Sequence, residues 1–154
     1  MKKGAKFEAL VKESCEMQNI LCIRQKDGAS RTNGTEIIRI KSSNISDFIV
    51  YNSEKFLFLE CKSYKTSVPY KDLRQLNLMI KAVETYHYIK AGFIIEIKNT
   101  GNIYYISCQD VVKMMCNSKK KSFNESELKN KVEKIIYKRK RIPRLDINKM
   151  IEKI

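Results

Sequence analysis

Apolar positions open the chain at helical spacing. Phe7, Leu10 and Val11, then Ser14 and Cys15, recur at three- and four-residue steps without a proline, which predicts a helix over residues 3–18. Ile20–Arg24 reads as a first strand, and Lys26–Thr35, with its Gly, Asp, Ser and Asn residues, as a polar loop. Glu36–Ile40 is either a short strand or an extended arm. The apolar runs Phe48–Tyr51 and Phe56–Leu59 flank Asn52-Ser53-Glu54-Lys55, a hairpin signature. Ser63–Val68 links this hairpin to Pro69, which is placed to open a long helix to about Tyr88 with Leu73, Leu76, Ile80 and Val83 on one face. Ala91–Ile97 is almost continuously apolar and predicts a central strand. The turn Lys98–Asn102 brings Ile103–Ser107 back beside it, and Gln109–Cys116 follows as a short core helix. After the basic loop Asn117–Ser122, Asn124-x-x-Glu127 has the form of a capping box opening a helix to about Ile135. Ile142–Asp146 stops that pattern, with Asp146 able to cap a last short helix. This order predicts a single α/β domain over 1–154: a mixed central β-sheet flanked by helices, with a basic C-terminal segment from about residue 117.

Composition narrows the class. The 154 residues are 43% hydrophobic and 31% charged, the profile of a chain that folds around a real core. No apolar run approaches the roughly 18–20 residues of a membrane span, and the Met-Lys-Lys start lacks a following apolar stretch. A cytoplasmic protein with no membrane partner is therefore expected. The cysteines Cys15, Cys22, Cys61, Cys108 and Cys116 form no C-x₂₋₄-C pair, and His87 is not near them in sequence. They read as reduced, mostly buried thiols, not as zinc ligands.

Charge changes the picture most. There are 31 Lys and Arg against 17 Asp and Glu, a formal +14, and residues 113–154 alone hold 14 basic and 5 acidic side chains. Such an excess fits a polyanionic partner, nucleic acid before membrane, although a chain rich in Lys, Ile and Asn also reflects genome composition. Lys26, Arg31, Arg39 and Lys41 are candidate DNA contacts or the charges of an ordinary surface hairpin. Lys119-Lys120-Lys121 and Lys138-Arg139-Lys140-Arg141 are the two densest basic runs.

Three charges break the apolar hairpin. A turn centred on Ser53-Glu54 sets Tyr51 opposite Phe56 and, by continuation, Asp47 opposite Glu60, so Asp47, Glu60 and Lys62 share a face. Charges inside apolar strands are paired or bind a metal. The trio is either a structural ion pair or a site in which two carboxylates hold Mg²⁺, with Mn²⁺ as a substitute, beside an ammonium that orients water or phosphate.

The Asp47…Glu60-x-Lys62 arrangement resembles the PD-(D/E)XK nuclease superfamily, with Ser46 standing where the name-giving proline would be. Gly4-x-x-Phe7-Glu8, Ser46-Asp47-Phe48, Leu59-Glu60-Cys61-Lys62, Pro69 followed by Gln75, and Pro143-Arg144-Leu145-Asp146 are together similar to the RecU-type Holliday junction resolvases. The resemblance implies the PD-(D/E)XK core. It further implies a homodimer that cuts four-way DNA junctions by Mg²⁺-dependent hydrolysis, in recombination and repair, in a bacterial or phage-infected cell. It also implies a helix Glu, here Glu8, completing the metal site, and a catalytic Gln, here Gln75. Read alone, Glu8 is a solvated helix carboxylate and Gln75 an exposed helix amide as readily. Two other readings stay open: another PD-(D/E)XK nuclease of restriction or repair type, and a basic DNA-binding protein without catalysis. The full acidic set argues against the last, because binding phosphate needs no carboxylates beside it.

Overall fold

A computed structural model describes residues 4–25, 30–33, 36–39, 44–137 and 143–154, with residues 30–33 and 36–39 described by their backbone pairing alone. Helix α1 (Ala5–Met17) buries Phe7, Val11, Ser14 and Cys15, the stripe its spacing predicts. Strand β1 (Leu21–Arg24) follows, then a hairpin of β2 (Ser30–Asn33) and β3 (Glu36–Arg39). Part of the expected polar loop is thus a strand, and the short-strand alternative holds for Glu36–Arg39. Lys26 and Lys41 lie outside the described residues, as do Lys138, Arg139, Lys140 and Arg141.

Strands β4 (Phe48–Tyr51) and β5 (Phe56–Tyr64) form the central hairpin in the expected register, Tyr51 opposite Phe56 and Phe48 opposite Leu59. The register is set locally. Asn52 Oδ1 accepts from the backbone N–H of Glu54 and Lys55 (3.2 and 3.0 Å), and Ser53 takes a positive φ of 72° between them. Strand β5 runs past Leu59, so Glu60 and Lys62 lie within it, not at its end.

The chain then departs from the expected long helix. Ser67–Pro69 is a strand, β6, and Tyr70–Asp72 is a 3₁₀ turn. Helix α2 spans only Leu76–Thr85. Pro69 has ψ 129°, an extended value, because β6 pairs with the distant β9 (Ser122–Asn124), Val68 opposite Phe123. Long-range pairing overrides the local helical pattern there. Strands β7 (Ile89–Ile97) and β8 (Asn102–Ser107) form the expected hairpin, its turn carrying Gly101 at φ 69°, and helix α3 (Cys108–Asn117) follows. The Asn124–Glu127 capping box is present but opens only a 3₁₀ turn, Glu125–Glu127. In place of the expected helix stand β10 (Asn130–Lys131), which extends the sheet beside β8, and β11 (Lys134–Ile135). Strand β12 (Arg144–Leu145) pairs with β11, and Asp146 caps helix α4 (Ile147–Glu152) by accepting from the Lys149 N–H.

The main sheet runs β1-β4-β5-β7-β8-β10, with β5 and β7 parallel and the other neighbours antiparallel. Alternation along each strand divides the core in two. Phe58, Ala91, Phe93, Ile95, Tyr104 and Ile106 face α2 and α3. Leu57, Leu59, Val50, Ile94, Ile103 and Tyr105 face α1 and α4. The expected class, a mixed central sheet flanked by helices, is the observed one. Gly92 is required where it stands: a Cβ there would lie 2.5 Å from both the Ile106 carbonyl and the Tyr105 hydroxyl.

Candidate active site

Even-numbered positions of β5 put Glu60 and Lys62 on the α2 face of the sheet, in parallel register with Phe93 and Ile95 of β7. The same alternation leaves Cys61 pointing to the α1 face. Asp47 directly precedes β4, and its Oδ2 accepts from the Cys61 N–H at 2.8 Å, so the hairpin delivers it to the middle of the Glu60–Lys62 segment. Lys62 Nζ donates to Glu60 Oε1 at 2.9 Å. Ser46, at the proline position, is buried and donates to the Phe48 carbonyl at 2.7 Å, which braces the bend into β4. The three charges expected to converge do converge.

The electrostatics are uneven. Glu60 is only 3% exposed, and its Oε2 is buried with no hydrogen-bond partner. Burial first, then the neighbouring charge of Asp47, pushes its carboxyl up from 4.5 to about 7, against the pull of Lys62. A carboxylate with one oxygen bonded to an ammonium and the other unpartnered, beside a second carboxylate, is suited to a further cation. Asp47 and Glu60 fit a hard divalent ion with most of its coordination left to water and phosphate. Among the described residues, no three His, Cys, Asp or Glu side chains form a ready-made metal cage. Cys61 between them is held as a thiol, its pKa raised by burial and then by Asp47, Glu60 and Glu8.

The remaining expected residues fall as follows. Glu8 sits on α1, on the opposite face of the sheet, where Arg24 Nη2 donates to its Oε2 at 2.7 Å. Gln75 is the residue capping α2, on the face that carries Glu60, and its Oε1 is buried without a partner. It is half-buried, not the exposed helix amide its sequence context also allowed. Lys119, Lys120 and Lys121 are exposed in the connection from α3 to β9. Arg31 and Arg39 lie on the paired strands β2 and β3.

Sequence reasoning missed several neighbours. Tyr64, two residues past Lys62 on the same face of β5, donates to Asp72 Oδ2 at 3.3 Å and so ties the 3₁₀ turn to the site strand. Its hydroxyl pKa is raised by burial first, then by Asp72, with Glu60 contributing. Strand alternation alone could have found Tyr64; the Arg24–Glu8 pair had no local signal.

No family model matches this sequence, and no curated protein matches it. Among solved structures, the chain is similar to Hjc, a Holliday junction resolvase from the archaeal hyperthermophile Archaeoglobus fulgidus. The match has a TM-score of 0.53 at 15% identity and covers 80% of this chain and 90% of that one. The chain therefore has the fold of that resolvase structure, a mixed sheet flanked by helices with Asp47, Glu60 and Lys62 gathered on its central hairpin.

Proposed function

We propose that this protein is a divalent-metal-dependent endodeoxyribonuclease of the PD-(D/E)XK type that cuts branched DNA, with the four-way junction as its preferred substrate. The observation that carries the reading is Glu60, buried, half-partnered and pushed towards neutrality beside Asp47, with Lys62 bonded to its other oxygen. A structural ion pair would satisfy both oxygens; a metal-binding carboxylate would not. The likeness to a resolvase fold and the formal +14 charge support a DNA substrate.

Asp47 and Glu60 would hold the ion, Mg²⁺ or Mn²⁺; Glu8 on α1, which the resemblance implies as a third ligand, is held by Arg24 and stands apart from them. Bound there, the ion supplies a water of lowered pKa and offsets charge on the scissile phosphate. The rest belongs to the chain's own groups. Lys62, braced by Glu60 Oε1, keeps its remaining donors for an attacking water or a phosphoryl oxygen. Gln75 can offer both a donor and an acceptor to the same species. Lys119, Lys120 and Lys121 would neutralise phosphates further along the strand. A homodimer would supply the second cut of a symmetric junction. The exposed apolar side chains Leu21, Ile23 and Tyr51, on one face at the β1 edge, offer a surface for it.

The test uses purified protein, Mg²⁺ and labelled four-way junction, duplex and single-stranded DNA. Asp47→Asn and Glu60→Gln should abolish cleavage and leave binding intact or tighter. Lys62→Ala should fold and bind yet cut on the order of 10²–10³ more slowly, with no rescue by Lys62→Arg, whose planar fork does not replace a compact ammonium. Wild-type-like cleavage by Asp47→Asn or Glu60→Gln rejects the site. Equal cutting of duplex and junction would mark another PD-(D/E)XK nuclease, and binding without any cutting a non-catalytic DNA-binding protein.

A further inference from the structure

A second cleft opens where the 3₁₀ turn after β6 meets the end of α3 and the start of β9, with a volume of about 500 Å³. Its floor is Pro69, Tyr70 and Met115, and Lys71, Lys120 and Lys121 stand around it. No carboxylate among the described residues lines it. We infer that this cleft takes an unpaired nucleotide, the base stacked on Tyr70 and the flanking phosphates held by the lysines. The inference rests on the nuclease reading and adds what that reading lacks, a device for telling branched or single-stranded DNA from duplex.

Three observations support it. The size suits one planar group, lying within the roughly 300–1,000 Å³ of small-ligand clefts. The chemistry is amphipathic in the manner of a nucleotide: an aromatic, a proline and an exposed Met side chain with three lysines around them, Glu127 being the one carboxylate close enough to act on the Tyr70 hydroxyl. The cleft is also preformed. Tyr70 is held by a tilted ring contact with Phe123 (centroids 5.4 Å apart, planes at 48°) and by its N–H to the Lys121 carbonyl at 3.0 Å, which continues the β6–β9 pairing. The turn that carries Tyr70 is bonded through Asp72 to Tyr64, on the strand face that carries Glu60 and Lys62. A base in a duplex cannot reach such a floor; a base freed at a branch point can.

The probe is an oligothymidine bearing one 2-aminopurine, compared with a blunt duplex of equal length, by anisotropy and by base fluorescence. Wild type should change the 2-aminopurine emission on binding. Tyr70→Ala, and Met115→Glu on the exposed helix surface in case the first variant folds poorly, should weaken single-strand binding by on the order of 10- to 100-fold. Duplex binding should stay within about twofold, and Tyr70→Phe should restore the single-strand affinity. The logarithmic salt dependence should be unchanged in Tyr70→Ala and shallower in Lys120→Gln/Lys121→Gln, which loses phosphate contacts. Equal loss on duplex and single strand, or no loss on either with cleavage intact, overturns the cleft and leaves the nuclease reading standing. Displacement of an acidic peptide with no change in base fluorescence also overturns it, and assigns the cleft to a protein partner. A wild-type protein that binds no DNA overturns both.

Discussion

Glu60 holds the opposing demands of the site in one side chain. Its folded-state pKa, about 7, lies above the ordinary 4.5, so the folded protein keeps a proton that the unfolded chain releases between those values. The stability this group contributes is therefore complete below pH 4.5 and lost as pH rises through 7. Metal-free protein should melt at progressively lower temperature across that window. Glu60→Gln should flatten the curve and exceed wild type at pH 8 by roughly 2–3 kcal/mol. Added Mg²⁺ should raise the melting temperature of wild type at pH 8 and leave the variant unmoved. A Glu60→Gln difference that is the same at pH 4 and pH 8 would show that the carboxyl is not strained. The trio itself was legible in the sequence, because Asn52 and Ser53 fix the hairpin register within a few residues of where it matters. Arg24 on Glu8 and Asp72 on Tyr64 were not, since each joins residues whose proximity depends on how separate elements pack.

At the scale of elements, strands were read more surely than helices. The period of two in β4, β5, β7 and β8 survives folding because those strands pair with sequence neighbours or are buried on both faces. One expected helix was shortened and another replaced by pairing that no local window contains: the start of the helix at Pro69, through the pairing of Ser67–Pro69 with β9, and the helix to Ile135, through Asn130–Lys131 on the edge of β8. Leu73, Leu128 and Val132 are buried as a helical pattern would predict, yet from turns and extended chain. Gly92 has no room for a Cβ beside the Ile106 carbonyl and the Tyr105 ring. Gly92→Ala should cost at least about 1–3 kcal/mol in urea unfolding, as overpacking does. Tyr105→Phe, which removes a buried hydroxyl with no partner, should change stability by less than about 1 kcal/mol. It should not rescue Gly92→Ala, because the Ile106 carbonyl still stands in the way.

For the whole molecule, the outer edge of β1, which pairs with no further strand among the described residues, is the feature to test first. Leu21 and Ile23 are 56% and 50% exposed and pair with Tyr51 and Ile49 on one face. If that face joins two copies, Leu21→Glu/Ile23→Glu should sediment as a monomer with its melting temperature little changed. It should nick a four-way junction on one strand at a time instead of making paired cuts. Wild type sedimenting as a monomer at all concentrations would remove the dimer. The other end of the chain has a different consequence. Leu145, Ile147, Met150 and Ile151 complete the core beneath α1, and Gln18 and Ser14 of the first helical segment bond to Leu145 and Asn148 across more than a hundred residues. During synthesis, then, the first helix leaves the ribosome long before the residues that clamp it. One face of the sheet waits open until residues 145–151 have emerged, while the α2 face can already close. Ribosome-arrested chains whose residue 137 has just cleared the exit tunnel should be cleaved by protease within α1 and spared in β5 and β7, a window in which a holdase chaperone would find this protein and after which it would not.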